Sequence, residues 1–287
     1  MKRRSTMLMT LIYLTLGVAA VLTFLPFLWM FTSSFRTNAG FFDTYFLPAT
    51  VDEDGVSHVA LGQLTLEHYR KLFFDLGFGR AILNSVFLSS VTSVIATLLA
   101  SMAGYALARF DFRGRSFALM VVLVMLIVPA PLLLAPTYQL VFDLGLLDTY
   151  SALILPAAAP AFGVFLFRQA TLSSVPSQLL EAARIDGCGE FRIFFTMALP
   201  LLRPMIGAFL LITFLWSWNN FIGPQVMLQD VERFPLAVAV GNLKGLYYQD
   251  YGLQMAGTLV SILPVMVLFL LLQRDFIAGL TAGAVKG

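Results

Sequence analysis

Charged residues divide this chain into six long uncharged stretches, each of 19 or more residues. About 20 helical residues, at a rise of ~1.5 Å per residue, cross the ~30 Å hydrocarbon core of a bilayer. The pattern therefore predicts an all-α membrane protein with six transmembrane helices. The predicted spans are 9–33, 81–108, 116–141, 150–168, 204–227 and 252–273.

Two loops between these spans are long enough to carry structure of their own. The loop at 37–79 contains a helix-like stretch at 66–73, and the loop at 171–203 separates the fourth and fifth spans. We find no internal repeat, so a single transmembrane domain accounts for residues 1–287. The composition agrees, since 59% of the residues are hydrophobic and 12% are charged, against roughly 25% charged residues in soluble domains.

The distribution of Lys and Arg predicts the orientation of the chain. Counting alternate loops separately places twelve cations and five anions on the side that includes both termini, and six cations and eleven anions on the other side. Cytoplasmic loops carry the excess of Lys and Arg, so both termini and the loop at 171–203 are predicted to be cytoplasmic. The loop at 37–79 is predicted to be external. The first apolar run is longer than the about 7–15 residues of a signal-peptide core, which favours an uncleaved first helix.

The spans differ in composition, and the differences predict which helices are buried or broken. Residues 84–104 are rich in small and hydroxylated side chains, which favour close packing in the interior. Prolines in the other spans remove backbone donors and favour kinks, which fit a transport pathway and ordinary packing equally well. These prolines are Pro129, Pro131, Pro136, Pro156, Pro160 and Pro264.

The chain lacks residues that several other classes of membrane protein require. No span contains a charged residue between its limits, whereas buried charges usually mark proton relays and ion-coupled carriers. A secondary carrier that coordinates Na⁺ through backbone carbonyls at a helix break stays open as an alternative. None of the four lysines is followed by Ser or Thr, so the phosphate loop of ATPases is absent and no enzyme activity is predicted.

Metal and disulfide chemistry is not predicted either. Cys188 is the only cysteine, which rules out an intrachain disulfide or a cysteine-rich metal site. His58 and His68 both lie in the loop at 37–79, where we expect solvated imidazoles and no metal site. The sequence therefore predicts no cofactor on this chain.

The loop between the fourth and fifth spans has the pattern of a helix, a sharp turn and a second helix. Pro176 suits the first turn of a helix, and Gly187 suits its end because glycine adopts positive φ without strain. Leu179, Ala182 and Ala183 share a face on which another backbone can approach closely. A hairpin lying on the membrane surface has the same pattern. The second helix is predicted to pack on the bundle through Phe191, Phe194, Phe195, Ala198 and Leu199.

The same loop carries a spaced motif: Glu181-Ala182-Ala183, then Gly187, then Leu199-Pro200. This motif resembles the signature loop of the membrane subunits of binding-protein-dependent ABC importers, with Met197 where that family usually has Ile. The Trp218-Asn219 pair and the C-terminal sequence Gly-Leu-Thr-Ala-Gly-Ala-Val-Lys-Gly resemble the carbohydrate-uptake branch. Within that branch the six-span count resembles the maltose-type second permease, and the similarity covers nearly the whole chain.

The resemblance implies how energy reaches the chain. In this family the loop helix docks on a separate ATPase dimer, which holds ATP and Mg²⁺, and a second homologous permease subunit completes the pore. Further implied partners are an extracytoplasmic solute-binding protein and the lipid bilayer of a prokaryotic cell membrane, with no nucleic acid. The coupling residues implied by the resemblance are Glu181, Ala182, Ala183, Asp186 and Gly187.

Two further segments are candidates for contact with a solute or its binding protein. Aromatic faces paired with side-chain amides suit a sugar, although a Trp belt at the membrane interface has the same composition. The residues of this kind are Trp216, Trp218, Asn219 and Asn220 in the fifth span, and Tyr138 and Gln139 in the third. The resemblance also implies a loop that reaches into the binding protein, although an ordinary surface turn would look the same. It comprises Gly241, Asn242, Leu243, Lys244 and Gly245, followed by Leu246, Tyr247 and Tyr248.

These observations predict the permease subunit of an ATP-binding-cassette importer. Its cargo is predicted to be a di- or oligosaccharide or a related glycoside. A glycerol phosphodiester or another polar solute is the alternative within the superfamily, because the signature loop reports coupling and not cargo. An ion-coupled secondary carrier is the alternative from another class.

Overall fold

The computed structural model describes residues 2–37, 41–42, 46, 49–51, 57–60, 62, 64–245 and 250–284. Its helices are α1 Lys2–Ser33, α2 Glu67–Arg70, α3 Phe78–Arg109, α4 Arg115–Ile127, α5 Leu134–Asp143, α6 Ser151–Ala157, α7 Ala161–Ser174, α8 Ser177–Ile185, α9 Glu190–Ile193, α10 Leu199–Leu201, α11 Arg203–Trp218, α12 Ile222–Met227, α13 Leu236–Gly241 and α14 Tyr251–Ala284. Shorter turns are 3₁₀-helical at Ala130–Leu133 and Val231–Arg233, and π-helical at Lys71–Asp75 and Phe194–Ala198. The described residues are mostly helical, as predicted, and β1 Ala49–Val51 pairs antiparallel with β2 Ser57–Val59.

Within the described part of the chain, three helices are long and apolar enough to cross a membrane without a break. They are Met7–Ser33 within α1, Phe78–Arg109, which is α3, and Tyr251–Leu271 within α14. Three further candidates are bent pairs: α4 with Ala130–Asp143 at 106°, α6 with α7 at 41°, and Glu190–Leu201 with α11 at 82°. The described residues therefore give six spans if each bent pair crosses the membrane as one.

The breaks interrupt three of the predicted spans, and the one at 150–168 is divided between α6 and α7. Val128 has an extended backbone in front of Pro129, because proline disfavours the helical conformation of the residue before it. The predicted span at 116–141 is therefore not a single helix. The predicted span at 204–227 is likewise two helices, since α11 ends at Trp218 and α12 begins at Ile222. Pro264, by contrast, lies inside the continuous helix α14.

The chain divides into two compact units. The first comprises Met1–Phe78 and Val240–Leu263, and the second comprises Gly79–Ala239 and Pro264–Gly287. In the second unit, α3 buries one face, which carries most of its small and hydroxylated residues, while Leu83, Phe87 and Val94 are exposed. Its buried polar side chains are Asn84, Ser85, Ser89, Thr92, Ser93, Thr97 and Ser101.

Two glycines bring three helices of the second unit close together. A Cβ atom on Gly104 of α3 would lie 2.7 Å from the backbone nitrogen of Arg168 in α7. A Cβ atom on Gly163 of α7 would lie 2.4 Å from the ring of Phe209 in α11 and 2.9 Å from Ala100 in α3. Only residues without a side chain fit at such separations, so these two glycines determine how closely α3, α7 and α11 pack.

In the first unit, the prediction of a solvated His68 is wrong. This residue is 6% exposed, its Nε2 lies 2.8 Å from the carbonyl oxygen of Arg36, and its Nδ1 lies 3.6 Å from the Asp250 carboxylate. The predicted helix-like stretch is confirmed over Glu67–Asp75, and it places His68 and Leu72, four residues apart, on one buried face. The partners of His68 are distant in the sequence, so local pattern did not reveal them.

Candidate functional site

The loop between α7 and α11 contains two short helices joined by a sharp turn, as predicted. Helix α8 follows Pro176, and the turn is made by Gly187, whose φ of +79° lies in the left-handed region that favours glycine. The Gly187 amide donates a hydrogen bond to the Arg184 carbonyl at 3.0 Å. The Cys188 amide donates to the Ala183 carbonyl at 2.9 Å, which completes a Schellman cap.

The motif residues on α8 do not all face outward. The exposed residues are Glu181, Ala182, Asp186 and Gly187. Ala183, in contrast, is 1% exposed and packs in the core of the second unit, together with Leu180 three residues earlier. The prediction that Ala182 and Ala183 share one open surface therefore needs correction, because Ala183 faces its own bundle. Ala182 is the alanine of the pair that another chain can reach.

An ion pair joins α8 to α9 across the turn. Nε of Arg184 lies 2.6 Å from Oε1 of Glu190, and Nη2 lies 3.3 Å from Oε2, so the guanidinium donates to both carboxylate oxygens. The hydrogen bond to Glu190 raises the pKa of Arg184. A bidentate pair fixes orientation as well as distance, so it constrains the angle between the two helices. Sequence analysis missed it because a spacing of six residues belongs to no regular helix.

The second helix of the loop buries a different stripe from the predicted one. Phe194 and Ala198 are buried as predicted, but Phe191 and Phe195 are exposed, and Ile193 is buried in their place. The physical reason is a π-helical turn over this segment, whose wider hydrogen-bond spacing shifts the register of an α-helix. The prediction assumed regular α-helical spacing throughout.

A cavity of about 820 Å³ lies in the second unit where helix breaks meet. Its walls come from the α4–α5 break, the α6–α7 break, the end of α11 and one side of α3. Its volume lies within the ~300–1,000 Å³ of ligand pockets, and non-helical backbone at membrane depth is tolerated where it lines a cavity. None of the described lining residues is charged. The amide and hydroxyl side chains among them are Thr92, Thr213, Ser217 and Asn220.

Two of the six predicted pathway residues line this cavity. They are Trp216 and Asn220, which the structure brings together with Ser217 and Thr213 from the same helix end. Trp216 is 65% exposed, so its ring has surface available to a solute. Asn220 accepts a hydrogen bond from the Gly223 amide at 3.2 Å through its side-chain oxygen.

The other four predicted pathway residues do not line the cavity. Trp218 is 3% exposed and stacks on Phe214, with the ring centroids 5.7 Å apart. Tyr138 packs against a small hydrophobic cluster. Asn219 and Gln139 are exposed and form hydrogen bonds with their own helices. The pairing of aromatic and amide residues in the sequence therefore did not identify which side chains face the cavity.

The predicted binding-protein loop follows α13, which ends at Gly241. Its exposed residues are Asn242, Lys244 and Gly245. Leu243 is half-buried, and a methyl group of its side chain lies 2.6 Å from where a Cβ on Gly257 would stand. The remaining residues of that prediction, Leu246, Tyr247 and Tyr248, lie outside the described residues.

Asp148 is the centre of a polar cluster that sequence analysis missed. Its backbone adopts a φ of +58°, and one carboxylate oxygen accepts hydrogen bonds from the amides of Gln229 and Asp230 at 2.9 and 3.0 Å. The other oxygen lies 2.7 Å from Nη1 of Arg233. These backbone hydrogen bonds are the main reason why the pKa of Asp148 is lowered. The cluster fixes the segment after α12 to the start of α6.

Residues 96–281 match the family described as the inner membrane component of binding-protein-dependent transport systems. The chain belongs to this family. The permease is 39% identical over 296 residues to the arabinooligosaccharides transport system permease protein AraQ of Halalkalibacterium halodurans, and the match covers 100% of both chains. It is 31% identical over 274 residues to the lactose transport system permease protein LacG of Rhizobium radiobacter, covering 96% of this permease and 95% of that protein.

The fold also matches a solved structure of this class of transporter. The match is to the crystal structure of a bacterial ABC transporter involved in the import of the acidic polysaccharide alginate, with a TM-score of 0.77 and 23% identity over 96% of the permease and 98% of that chain. At that identity the likeness shows the fold. The family prediction is confirmed, and it assigns the permease to ABC transport systems, not to ion-coupled carriers.

Proposed function

We propose that this permease is a subunit of an ATP-binding-cassette importer that moves a neutral di- or oligosaccharide, or a related glycoside, into a prokaryotic cell. Relatives named for arabinooligosaccharide and lactose transport support this class of substrate. The observation that carries the proposal is the cavity at the helix breaks. Its described lining combines Trp216 with amide and hydroxyl side chains and includes no charged residue.

The lack of charge in this lining distinguishes between the candidate cargoes. Arg and Lys side chains are the usual partners of a phosphodiester, and the described lining contains neither. A sugar instead presents hydroxyl groups to amides and hydroxyls, and presents its apolar C–H face to an aromatic ring. The side chains of Thr213, Ser217 and Asn220, with the ring of Trp216, suit the sugar. A neutral saccharide therefore fits this subunit's part of the pathway better than a glycerol phosphodiester.

The loop containing α8 supplies the connection to ATP hydrolysis. In the proposed orientation both termini and this loop face the cytoplasm, as the excess of Lys and Arg indicates. Glu181, Ala182, Asp186 and Gly187 present the surface on which a separate ATPase subunit docks, and ATP and Mg²⁺ bind to that subunit. Ala183 supports the surface from inside. A second homologous permease completes the pathway, and the 241–245 loop meets the extracytoplasmic binding protein.

A charge reversal at Glu181 tests the coupling role in the complete importer reconstituted in vesicles. We expect Glu181→Lys to assemble but to lose the stimulation of ATP hydrolysis by loaded binding protein, because it reverses the charge that contacts the ATPase. Glu67→Lys makes the same change at an exposed position in the loop predicted to be external, and should retain stimulation. If loaded binding protein still stimulates ATP hydrolysis in Glu181→Lys, the coupling role is contradicted.

Uptake measurements test which class of solute the importer carries. Cells that contain the intact importer are offered radiolabelled arabino-oligosaccharides, oligosaccharides of uronic acids and a glycerol phosphodiester in parallel. We expect uptake of the neutral sugars alone, because the described cavity lining contains no cationic side chain. Uptake of either anionic solute at a comparable rate would overturn the neutral cargo.

A further inference from the structure

We propose that Arg109 and Tyr105, one helical turn apart on α3, are positioning residues that fix the two ends of the coupling loop to the helix that lines the cavity. This inference rests on the coupling role proposed for that loop. Neither residue belongs to the signature motif. Both instead lie at the end of a helix that extends from the loop to the cavity wall.

Arg109 fixes the entrance of the loop. Its Nη2 donates hydrogen bonds to the carbonyl oxygen of Thr171, at 3.1 Å, and to that of Val175. The Thr171 carbonyl also accepts the Val175 amide at 3.2 Å. Carbonyls at the C-terminal end of a helix carry partial negative charge, which a guanidinium balances. Thr171 and Val175 are buried, and Pro176, the next residue, leads into α8. A cation on α3 therefore determines where α8 begins.

Tyr105 fixes the exit of the loop. Its side chain is 3% exposed, and its ring centroid lies 5.4 Å from that of Phe194, within the range of attractive aromatic pairs. Phe194 is itself buried and opens the π-helical turn after α9. Tyr105 also interacts electrostatically with Glu190 and Arg184, the ion pair that spans the turn. The ring of Tyr105 thus contacts the second helix of the loop.

Helix α3 continues from these contacts to the cavity without a break. It has 32 residues and no proline, and it extends about 48 Å at ~1.5 Å per residue. Gly104 places its backbone against α7, and Leu88, Thr92 and Ala96 line the cavity further along. Near the other end, Asn84 donates hydrogen bonds at 2.8 and 3.1 Å to two carbonyls of the segment before α13. One unbroken helix therefore contacts the coupling loop, the cavity and that segment.

This arrangement has a measurable consequence. When the ATPase displaces the loop, both ends of the loop pull on α3, and a rigid helix moves the cavity wall with them. Without the two contacts, the loop is free to move while α3 stays in place. ATP hydrolysis would then continue with less transport, so the number of solute molecules moved per ATP is the quantity that reports the contacts.

Arg109→Ala tests the inference in the assembled importer in vesicles. We expect the solute moved per ATP to fall about tenfold, in the range of typical coupling effects. The matched control is Arg113→Ala, which removes an exposed cation from the segment that follows α3 and should leave the ratio unchanged. Arg109→Lys should restore part of the ratio, because lysine keeps a cationic donor at the helix end. A normal ratio in Arg109→Ala overturns the inference.

The Tyr105 variants give an answer even if Arg109→Ala does not assemble. Tyr105→Phe keeps the ring against Phe194, so the solute moved per ATP should stay close to the wild-type value. Tyr105→Ala removes the ring and should lower the solute moved per ATP. Equal ratios in these two variants also overturn the inference. The number of solute molecules moved per ATP does not depend on how much complex assembles. A loss of stability alone therefore does not change it. If Glu181→Lys loses stimulation while the α3 variants keep a normal ratio, the coupling role stands and this inference fails.

Discussion

Arg184 donates hydrogen bonds to both carboxylate oxygens of Glu190, at 2.6 and 3.3 Å, across the left-handed turn at Gly187. The two side chains are 37% and 42% exposed, so water screens their attraction. Exposed pairs of this kind contribute about 0–1 kcal/mol to stability. We therefore attribute the importance of the pair to the angle that it imposes between α8 and α9.

Replacing Glu190 with Gln is expected to affect coupling more than folding. Gln keeps the shape of the side chain and loses its charge, so we expect the stability to change by less than about 1 kcal/mol. Stimulation of ATP hydrolysis by loaded binding protein should fall, because the turn is less constrained. Thermal unfolding and ATPase assays of the purified importer measure the two effects. The swap of Arg184→Glu with Glu190→Arg should recover part of the stimulation, and full stimulation in Glu190→Gln alone argues against this role.

Alanine is expected to be less tolerated at Gly163 than at Gly187. A Cβ on Gly163 meets the Phe209 ring at 2.4 Å, and overpacking of this kind costs about 1–3 kcal/mol. At Gly187 no atom lies within 4 Å of the added Cβ, so the positive φ alone opposes the change, at roughly 1 kcal/mol. Thermal unfolding gives the order. In a double-mutant cycle Phe209→Leu should relieve Gly163→Ala and leave Gly187→Ala unaffected; strict additivity at Gly163 would contradict the proposed clash.

The two tryptophans of α11 are expected to respond differently to alanine. Trp216 lines the cavity, so Trp216→Ala should reduce sugar transport with little change in unfolding temperature. Trp218 is buried against Phe214, and truncation of a large core residue costs about 3–5 kcal/mol, so Trp218→Ala should mainly lower the amount of folded importer. Transport is expressed per folded complex to separate the effects. The reverse pattern would mean that Trp218, and not Trp216, contacts the solute.

Acid is expected to weaken the cluster around Asp148. Hydrogen bonds from the amides of Asp230 and Gln229 hold the pKa of its carboxyl below the ordinary 3.8. A group with a lower pKa in the folded state contributes its full stability above the unfolded pKa, and loses it as the pH falls through the folded pKa. The advantage of wild type over Asp148→Asn in unfolding temperature should therefore be constant near neutral pH and shrink below pH 3.8. Asn tolerates positive φ, so the comparison isolates the charge. A pH-independent difference would rule out the carboxylate.

Features that depend on neighbouring residues could be predicted from the sequence. The turn at Gly187 needs a residue that adopts positive φ, and the break before Pro129 follows from proline's effect on the preceding residue. The apolar spans likewise follow from hydropathy within each segment. Hydropathy did not distinguish Trp216 from Trp218, which lie two residues apart, although only Trp216 lines the cavity.

Features that depend on distant residues could not be predicted in this way. Ala183 lies at the edge of the helix face, and only the position of α8 on its own bundle decides that it is buried. Arg109 contacts Val175, 66 residues further along the chain, and Arg233 contacts Asp148 across 85 residues. Such partners share no local pattern. In the sequence, these charged side chains look like the other charges found in loops, and only the fold shows which residues they contact.

The amide of Cys188 closes the turn at Gly187 onto the carbonyl of Ala183, at 2.9 Å. This residue is the one cysteine in the 287-residue sequence, and its thiol is free and partly exposed. A fluorophore or spin label attached to it would therefore report from the turn itself, with no need to remove other thiols first. The natural sequence thus provides an attachment point from which the motion of this loop can be followed in real time during transport.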